Sequence, residues 1–560
     1  MRRAVLIIVV LLIGVPVLAG LAETFRGAFG IMPVLGLTEP GLDAWRSLAG
    51  QPGFVTALRL TVTTGLAAAA LSTAIALLAV AGLHGAGRGR IALRLLAPVL
   101  ATPHSALAVG LAFLIAPSGW ILRLISPWAT GSTQPPDLAT VGDPAGLALI
   151  LGLVVKEVPF LVLVMTAALT QIPVRAHLAA GRALGYSAAA VWMRVLLPQL
   201  LPLVRLPVLA VVAYSVSVVD MALVLGPGNP PTLSVAVFRW FADPDLGRLP
   251  AALAGASLVG LTVAAAIAGW LLVERLIAWA GRVWIRRGAR GRAETVLTRT
   301  AGALALTLAF VGLAAILALA LWSVAFRWPF PSALPESWTL RAWGNTATWG
   351  PALANSVLIG AGATGLALCL AIAWLEAEDR AGRRYPLLGA AVIWIPLLVP
   401  QIAFLYGTGV LFLRLGVQPG HAAVIAGHLL FVFPYVMLVL ADPWRRLDPR
   451  LTRTASALGT GPWGRLWRVK LPILLRPVAT AAAIGFAVSA AQFLPTLLLG
   501  AGRVSTLATE AVSLASGSDR RLAGLVGLVL AGLPLGAYAL ALGLPPLLHR
   551  KRRGLMPEVA

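Results

Sequence analysis

Charge is scarce in this chain. Of its 560 residues, only 11% are Asp, Glu, Lys or Arg, against roughly 25% in a soluble domain. Hydrophobic residues make up 59%, and the mean hydropathy is +0.90. An ordinary water-soluble fold is therefore excluded, and a polytopic membrane protein is expected. Acid is scarcer than base, with 20 Asp and Glu against 44 Lys and Arg and a formal net charge of +24. A basic excess can serve nucleic acid. Here the charges flank apolar runs, as membrane proteins arrange them on the cytoplasmic side, so nucleic acid is not an expected partner.

The other shortages are equally informative. The only lysines are Lys156, Lys470 and Lys551, preceded by Val155, Val469 and Arg550. A phosphate-cradling loop needs Gly-Lys-Ser/Thr so that a lysine reaches the phosphates. No such site exists, so any ATP must be used by another polypeptide, and no enzyme activity is expected. Cys369 stands alone in an apolar run, has no internal disulfide partner, and reads as a small core residue. The six histidines have no i, i+4 pairing and no carboxylate cluster beside them. No catalytic site, metal site or resident cofactor is expected.

What the chain does have is long apolar runs, each close to the roughly 20 residues a helix needs to cross a bilayer. Because lipid offers no hydrogen bonds, these runs must be helices. The first half holds six: from the N-terminus to Ala22, 55–82, a third through Pro98 and Pro103 to Ile115, a fourth to Thr170, a fifth ending near Gly226, and 251–273. The first follows Arg2 and Arg3 as a signal peptide would, but a matching run at 301–322 favours a retained span. The second half offers 301–323, 354–375, 387–412, 422–441, 474–499 and 522–547. Between the halves lie Arg275, Arg282, Arg286, Arg287, Arg290, Arg292 and Arg299. The expected organisation is all-α: a first repeat at 1–285, a basic cytoplasmic linker at 286–300 and a second repeat at 301–560. Six spans per half make the repeats parallel. With the N-terminus inside, about 30 Lys and Arg fall in cytoplasmic segments and about 12 outside, and both termini are cytoplasmic.

Two stretches repeat without a gap. Residues 176–202 read AHLAAGRALGYSAAAVWMRVLLPQLLP, and 453–477 read RTASALGTGPWGRLWRVKLPILLRP. Gly185 and Gly459 are 274 residues apart, as are Pro198 and Pro472. Each stretch reads as a short helix, a sharp turn that glycine permits, and a second helix beginning at proline. The pattern resembles the EAA loop of binding-protein-dependent ABC importer permeases, E-A-A-x3-G-x9-I-x-L-P. In the first copy the matching positions are Ala179, Ala180, Gly181, Gly185, Val195, Leu197 and Pro198. In the second they are Arg453, Thr454, Ala455, Gly459, Val469, Leu471 and Pro472. The leading glutamate is absent from both. Two loops on one chain resemble the fused permeases of the thiamine, ferric-iron and YnjC type. The run FGIMPVLGLTEPGLDAW is most similar to the last of these.

The resemblance implies a MetI-like fold, ATPase coupling through both loops, two ATPase subunits, a periplasmic or lipid-anchored substrate-binding protein, and a bacterial inner-membrane location. The competing expectation is a secondary transporter driven by an ion gradient, which would need no matched cytoplasmic loops. Lys156, Glu157 and Asp220 are charges inside apolar spans, where they are costly and face a bundle interior or a path. They are either lining residues of the translocation path or a structural set, with Asp220 as a partner for Lys156. The tryptophans between spans, including Trp120, Trp128, Trp328 and Trp338, form either an interfacial belt or a docking surface for the binding protein. Gly360 and Gly362 are expected to let helices approach closely.

Overall fold

A computed structural model describes residues 2–33, 36, 38–85, 89–286 and 293–548. Arg88, part of the linker, Lys551 and the basic C-terminal run lie outside them. Ten described helices are long and apolar enough to cross a membrane, or twelve if two bent pairs count as spans. The β-structure among these residues is one short antiparallel pair, Ala325–Arg327 with Ser337–Trp338.

With the two bent pairs counted, each half supplies six spans among the described residues, but proline reshapes several of them. The third span of the first half is two helices, Gly89–Ala101 and His104–Ile115. Pro103 has no N–H and pushes the residue before it out of helical geometry. In the second half the equivalent pieces, Leu387–Leu398 and Gln401–Arg414, part at Pro400 and bend by 114°. The fifth span also stops early. Helix Leu197–Ser217 ends, and Asp220–Leu225 starts afresh; its counterparts are Leu475–Ala490 and Leu494–Gly500. Asp220 therefore opens a short helix after a break rather than lying inside the fifth span. Helix Leu249–Arg286 reaches the first residue of the expected linker, and helix Ala293–Val324 begins inside it.

The halves exchange their first spans. Arg2–Ala28 packs mainly on Gln401–Arg414, Thr346–Ala381 and the sixth span of its own half. Ala293–Val324 packs on Phe54–Gly85, His104–Ile115 and Arg520–Leu548. Glycine makes these crossings possible. A Cβ on Gly407 would strike the Gly20 carbonyl, and one on Gly20 would strike the Phe404 carbonyl. On the other side of the molecule, a Cβ on Gly110 would sit 2.5 Å from the Ala315 carbonyl. Thus first span meets opposite third span twice. Gly360 and Gly362 act similarly, against Phe486 and Ile425.

Cys369 corrects the expectation of a core residue: it is exposed. A membrane helix is apolar on its lipid-facing side as well as its buried side, so an apolar neighbourhood in sequence does not assign a residue to the interior. Trp328 departs from the belt in the opposite direction. It is buried against Trp322 and Arg123, while Trp128 and Trp338 are exposed.

Candidate functional site: two matched loops and a broken-helix polar cluster

The two repeated stretches follow the same course through their π turns; beyond that point the first continues as one helix, Ala188–Ser217, while the second bends by 77° between Pro462–Ile473 and Leu475–Ala490. Val174–Ala183 and Pro449–Ala457 are short helices. Each ends at a glycine with φ +80°, in the left-handed region where a side chain is strained. Nothing lies within 4 Å of a Cβ built on Gly185 or Gly459, so backbone conformation, not space, demands glycine. The orphan carbonyls of each helix end are bonded in the same register. Gly185 N–H donates to Arg182 and Tyr186 N–H to Gly181; Gly459 N–H donates to Ser456 and Thr460 N–H to Ala455. A second short helix follows, Ala188–Val191 or Pro462–Arg465. Then comes a five-residue π turn, Trp192–Leu196 or Leu466–Lys470. The wider turn sits just before Pro198 or Pro472, whose rings would otherwise crowd the carbonyl four residues back.

These helices bury little. Ala179, Ala180, Arg453 and Thr454 are exposed, as is Val195, while Ala455 and Leu197 are buried and Val469 is intermediate. Gly181 is packed so closely on Val191 that a Cβ there would collide with it. Leu184 is 68% exposed and its counterpart Leu458 is 80% exposed. Each is an apolar tip beside the glycine. Their functional interest was not assigned from sequence, although Ala-Leu-Gly in both repeats carried the signal.

Both loops occupy one face. Gly27, near the end of the first span, packs on Leu253, so the sixth span starts where the first ends. The start of the first span is tied to the second-loop region by Tyr385, whose hydroxyl donates to the Arg2 carbonyl at 3.0 Å. The far end of the sixth span carries Trp284, on which Arg194 of the first loop lies at 4.4 Å. Burial in the first place, reinforced by Glu378 and opposed by Arg2, raises the Tyr385 phenol above its ordinary value.

The loops are anchored differently. Arg194 pairs with Glu294 at 3.3 Å, both buried, and Trp192 meets His84 with ring centroids 5.5 Å apart. In the second loop Lys470 contacts Glu376 at 2.6 Å and Asp379 at 2.8 Å. Around it, Arg380 holds Glu376, Arg445 holds Glu378, and Trp444 donates to Asp379. This cluster was also not foreseen, since its carboxylates sit at the end of an apolar span.

The intramembrane charges gather at the broken helices. Lys156 and Glu157 are buried in helix Leu147–Ala168. Lys156 does not form an ion pair with Asp220, which corrects one expectation. Its ammonium donates to the carbonyls of Val99, Leu100 and Thr102 at 3.3, 2.7 and 2.5 Å. These are carbonyls orphaned where Pro103 ends the helix, so proline created the acceptors and the lysine fills them. Glu157 meets His104, the first residue after the break, at 3.2 Å. The His104 ring lies 4.6 Å from Tyr214, whose hydroxyl donates to Asp220 at 3.1 Å. The second half offers neutral groups. Gln401, also the first residue after a break, donates to Gln492 at 3.3 Å. His428 is buried between Ser489 and Thr496 at 2.7 and 2.9 Å. Among the described residues no group of three or more His, Cys, Asp or Glu is placed to hold a metal ion.

The comparisons agree with this architecture. The family described as "Binding-protein-dependent transport system inner membrane component" matches residues 387–544. The inner membrane ABC transporter permease protein YnjC of Escherichia coli (strain K12) is 34% identical over 515 residues, 91% of each chain. The thiamine transport system permease protein ThiP of Salmonella typhimurium is 26% identical over 54% of this chain and 55% of its own length. The molybdenum transport system permease protein ModB of Azotobacter vinelandii is 26% identical over 26% of this chain and 68% of its own. With two matched loops on one face of a bundle of ten to twelve spans among the described residues, and a relative aligned over nearly its whole length, the chain belongs to the family of binding-protein-dependent transport system inner membrane components, as an importer permease carrying both halves in one polypeptide.

Proposed function

We propose that this permease moves a small polar solute across the bacterial inner membrane, driven by two copies of a separate ATPase that grip the loops at 176–202 and 453–477. The chain itself binds no nucleotide in this reading, and ATP is used by the partner. A substrate-binding protein delivers the solute at the opposite face, and both termini are cytoplasmic. The observation that carries the reading is the identity of the two loops: same register, same positive-φ glycine, same π turn and same exposed leucine, on one face. Two equal grips suit two equal subunits. A conformational switch needs each ATPase state to bind the loops differently, and rigid, capped loops transmit that difference.

The solute path runs between the broken third and fifth spans, where discontinuous helices form binding sites in transporters. Glu157, His104, Tyr214 and Asp220 would line it from the first half, with Gln401 and Gln492 from the second. Lys156 holds the broken helix in shape. The test is purification with a co-expressed ATPase. Leu184→Asp plus Leu458→Asp is expected to release the ATPase and abolish ATP-dependent uptake in vesicles, with the permease still monodisperse. Uptake that persists on an ion gradient alone would instead favour a secondary transporter. Glu157→Gln and Asp220→Asn should change the KM for solute while leaving ATPase binding intact; unchanged kinetics in both would remove them from the path.

A further inference from the structure

The loops present an unbalanced surface. Neither 174–202 nor 449–477 contains a single Asp or Glu. Their basic residues fall into two groups. Arg194 and Lys470 turn inward onto Glu294, Glu376 and Asp379, and Arg465 bonds the Ser456 hydroxyl. Arg175, Arg182, Arg450, Arg453, Arg468 and Arg476 are exposed, and their guanidinium groups have no ion pair or hydrogen bond among the described residues. Asp448, just outside the second loop, is occupied in capping its helix through the Arg450 N–H at 2.8 Å. Arg175 and Arg182 are seven residues apart, and Arg450 and Arg453 three, so each pair shares one helix face. Beside each pair stands an exposed leucine, and exposed Trp463 and Trp467 widen the apolar part of the second loop.

We infer that the surface of the ATPase that receives these loops is acidic: a groove with a carboxylate rim and an apolar notch for Leu184 or Leu458. This rests on the proposed docking of the loops. Two copies of one ATPase must accept both loops with one groove. The leucines occupy matched positions, so the notch is a fixed feature. The arginines do not, since residues 175 and 182 correspond to Pro449 and Ser456. The acidic part is therefore a patch that tolerates charges at different places, rather than a single partner for a single arginine. Anionic lipid headgroups also attract arginines at this face. A protein groove is favoured because the arginines share helices with exposed small residues, Ala179, Ala180 and Thr454. These let a second backbone approach closely, which headgroups do not require.

The test uses the full-length permease in nanodiscs of neutral or anionic lipid, with the co-expressed ATPase titrated at low and high salt. Arg182→Glu plus Arg453→Glu is expected to weaken ATPase binding by about tenfold or more at low salt and to flatten its salt dependence, in both lipids. A Glu→Lys or Asp→Lys change in the ATPase groove should recover part of the loss. Unchanged or tighter binding of the reversed permease would overturn the inference. So would a loss seen only in anionic lipid, which would assign the arginines to headgroups. Leu184→Asp plus Leu458→Asp keeps the two ideas apart: if it releases the ATPase while the arginine reversals do not, the loops dock but the groove is not acidic. If neither releases it, the docking reading itself fails.

Discussion

Replacing Lys470 with Met should loosen the second loop without touching the first. The ammonium lies 2.6 Å from Glu376 and 2.8 Å from Asp379, and the Lys470 and Glu376 side chains are 7% and 5% exposed. Breaking a buried pair by removing one partner costs about 3–5 kcal/mol, because the remaining charge is stranded. Here the lower end applies. Arg380 still holds Glu376 at 2.8 Å, and Asp379 is partly exposed and keeps the Trp444 N–H. A loss of about 3 kcal/mol corresponds to about a hundredfold in the opening equilibrium. Hydrogen exchange of the amides at 466–474 should therefore quicken by about a hundredfold. The matched amides at 192–200 serve as an internal control, because Leu196 stands where the second loop has Lys470. Adding Glu376→Gln should recover part of the loss, with a coupling of about 2 kcal/mol. Uptake per ATP hydrolysed should fall while ATPase binding persists. Exchange within about threefold of the parent, or a double variant no better than the single, would refute the idea that this pair anchors the loop.

Three further outcomes follow from the geometry. Gly459→Ala should destabilise the loop by about 1 kcal/mol through positive φ alone, with Gly185→Ala costing the same; thermal release of bound ATPase reads both. Gly181→Ala should cost about 1–3 kcal/mol by collision with Val191, and Val191→Ala should relieve it, as measured by the melting midpoint in detergent. Lys156→Met should lower that midpoint by leaving the Val99, Leu100 and Thr102 carbonyls unpaired, a loss of about 3 kcal/mol. If uptake fails while the melt is unchanged, Lys156 contacts solute instead.

The loops were legible in sequence because their constraints are local. A glycine at positive φ and a fixed spacer act within about 25 residues, and the repeat shows each constraint twice; the helix start expected at Pro198 and Pro472 is not found, because a π turn carries the helix begun at Ala188 or Pro462 into each proline. The span count was legible for a similar reason, since bilayer thickness sets run length. The exchange of first spans was not. Gly20 and Gly407 are read as ordinary small residues until their helices cross, and nothing in either neighbourhood names the other. Charges in spans could be flagged but not partnered: Lys156 goes to backbone carbonyls, which carry no sequence signature. The face of Cys369 was lost because hydropathy cannot separate lipid from core. The clamp around Lys470 was hidden because Glu376, Glu378 and Asp379 look like the solvated end of a span.

The exchanged spans bear on how one loop's motion reaches the other half. The first loop grips Glu294, at the start of a helix that belongs by sequence to the second half yet packs on the first. The region of the second loop is tied, through Glu378 and Tyr385, to Arg2, at the start of a helix that belongs to the first half yet packs on the second. Displacing either loop therefore pulls on a helix whose continuation is covalently part of the opposite half. Because glycines bring helix backbones together at both crossings, these contacts have little room to slide and must move as rigid pairs. Independent movement of one half would have to open the Gly20–Gly407 or the Gly110–Ala315 crossing. Under the proposed coupling, single-loop grip is thus expected to be insufficient for the switch, with the untouched loop still expected to hold one ATPase copy. A permease carrying only Leu184→Asp should retain one ATPase copy by mass measurement and yet transport nothing, and half-maximal uptake from that variant would show that the halves move separately.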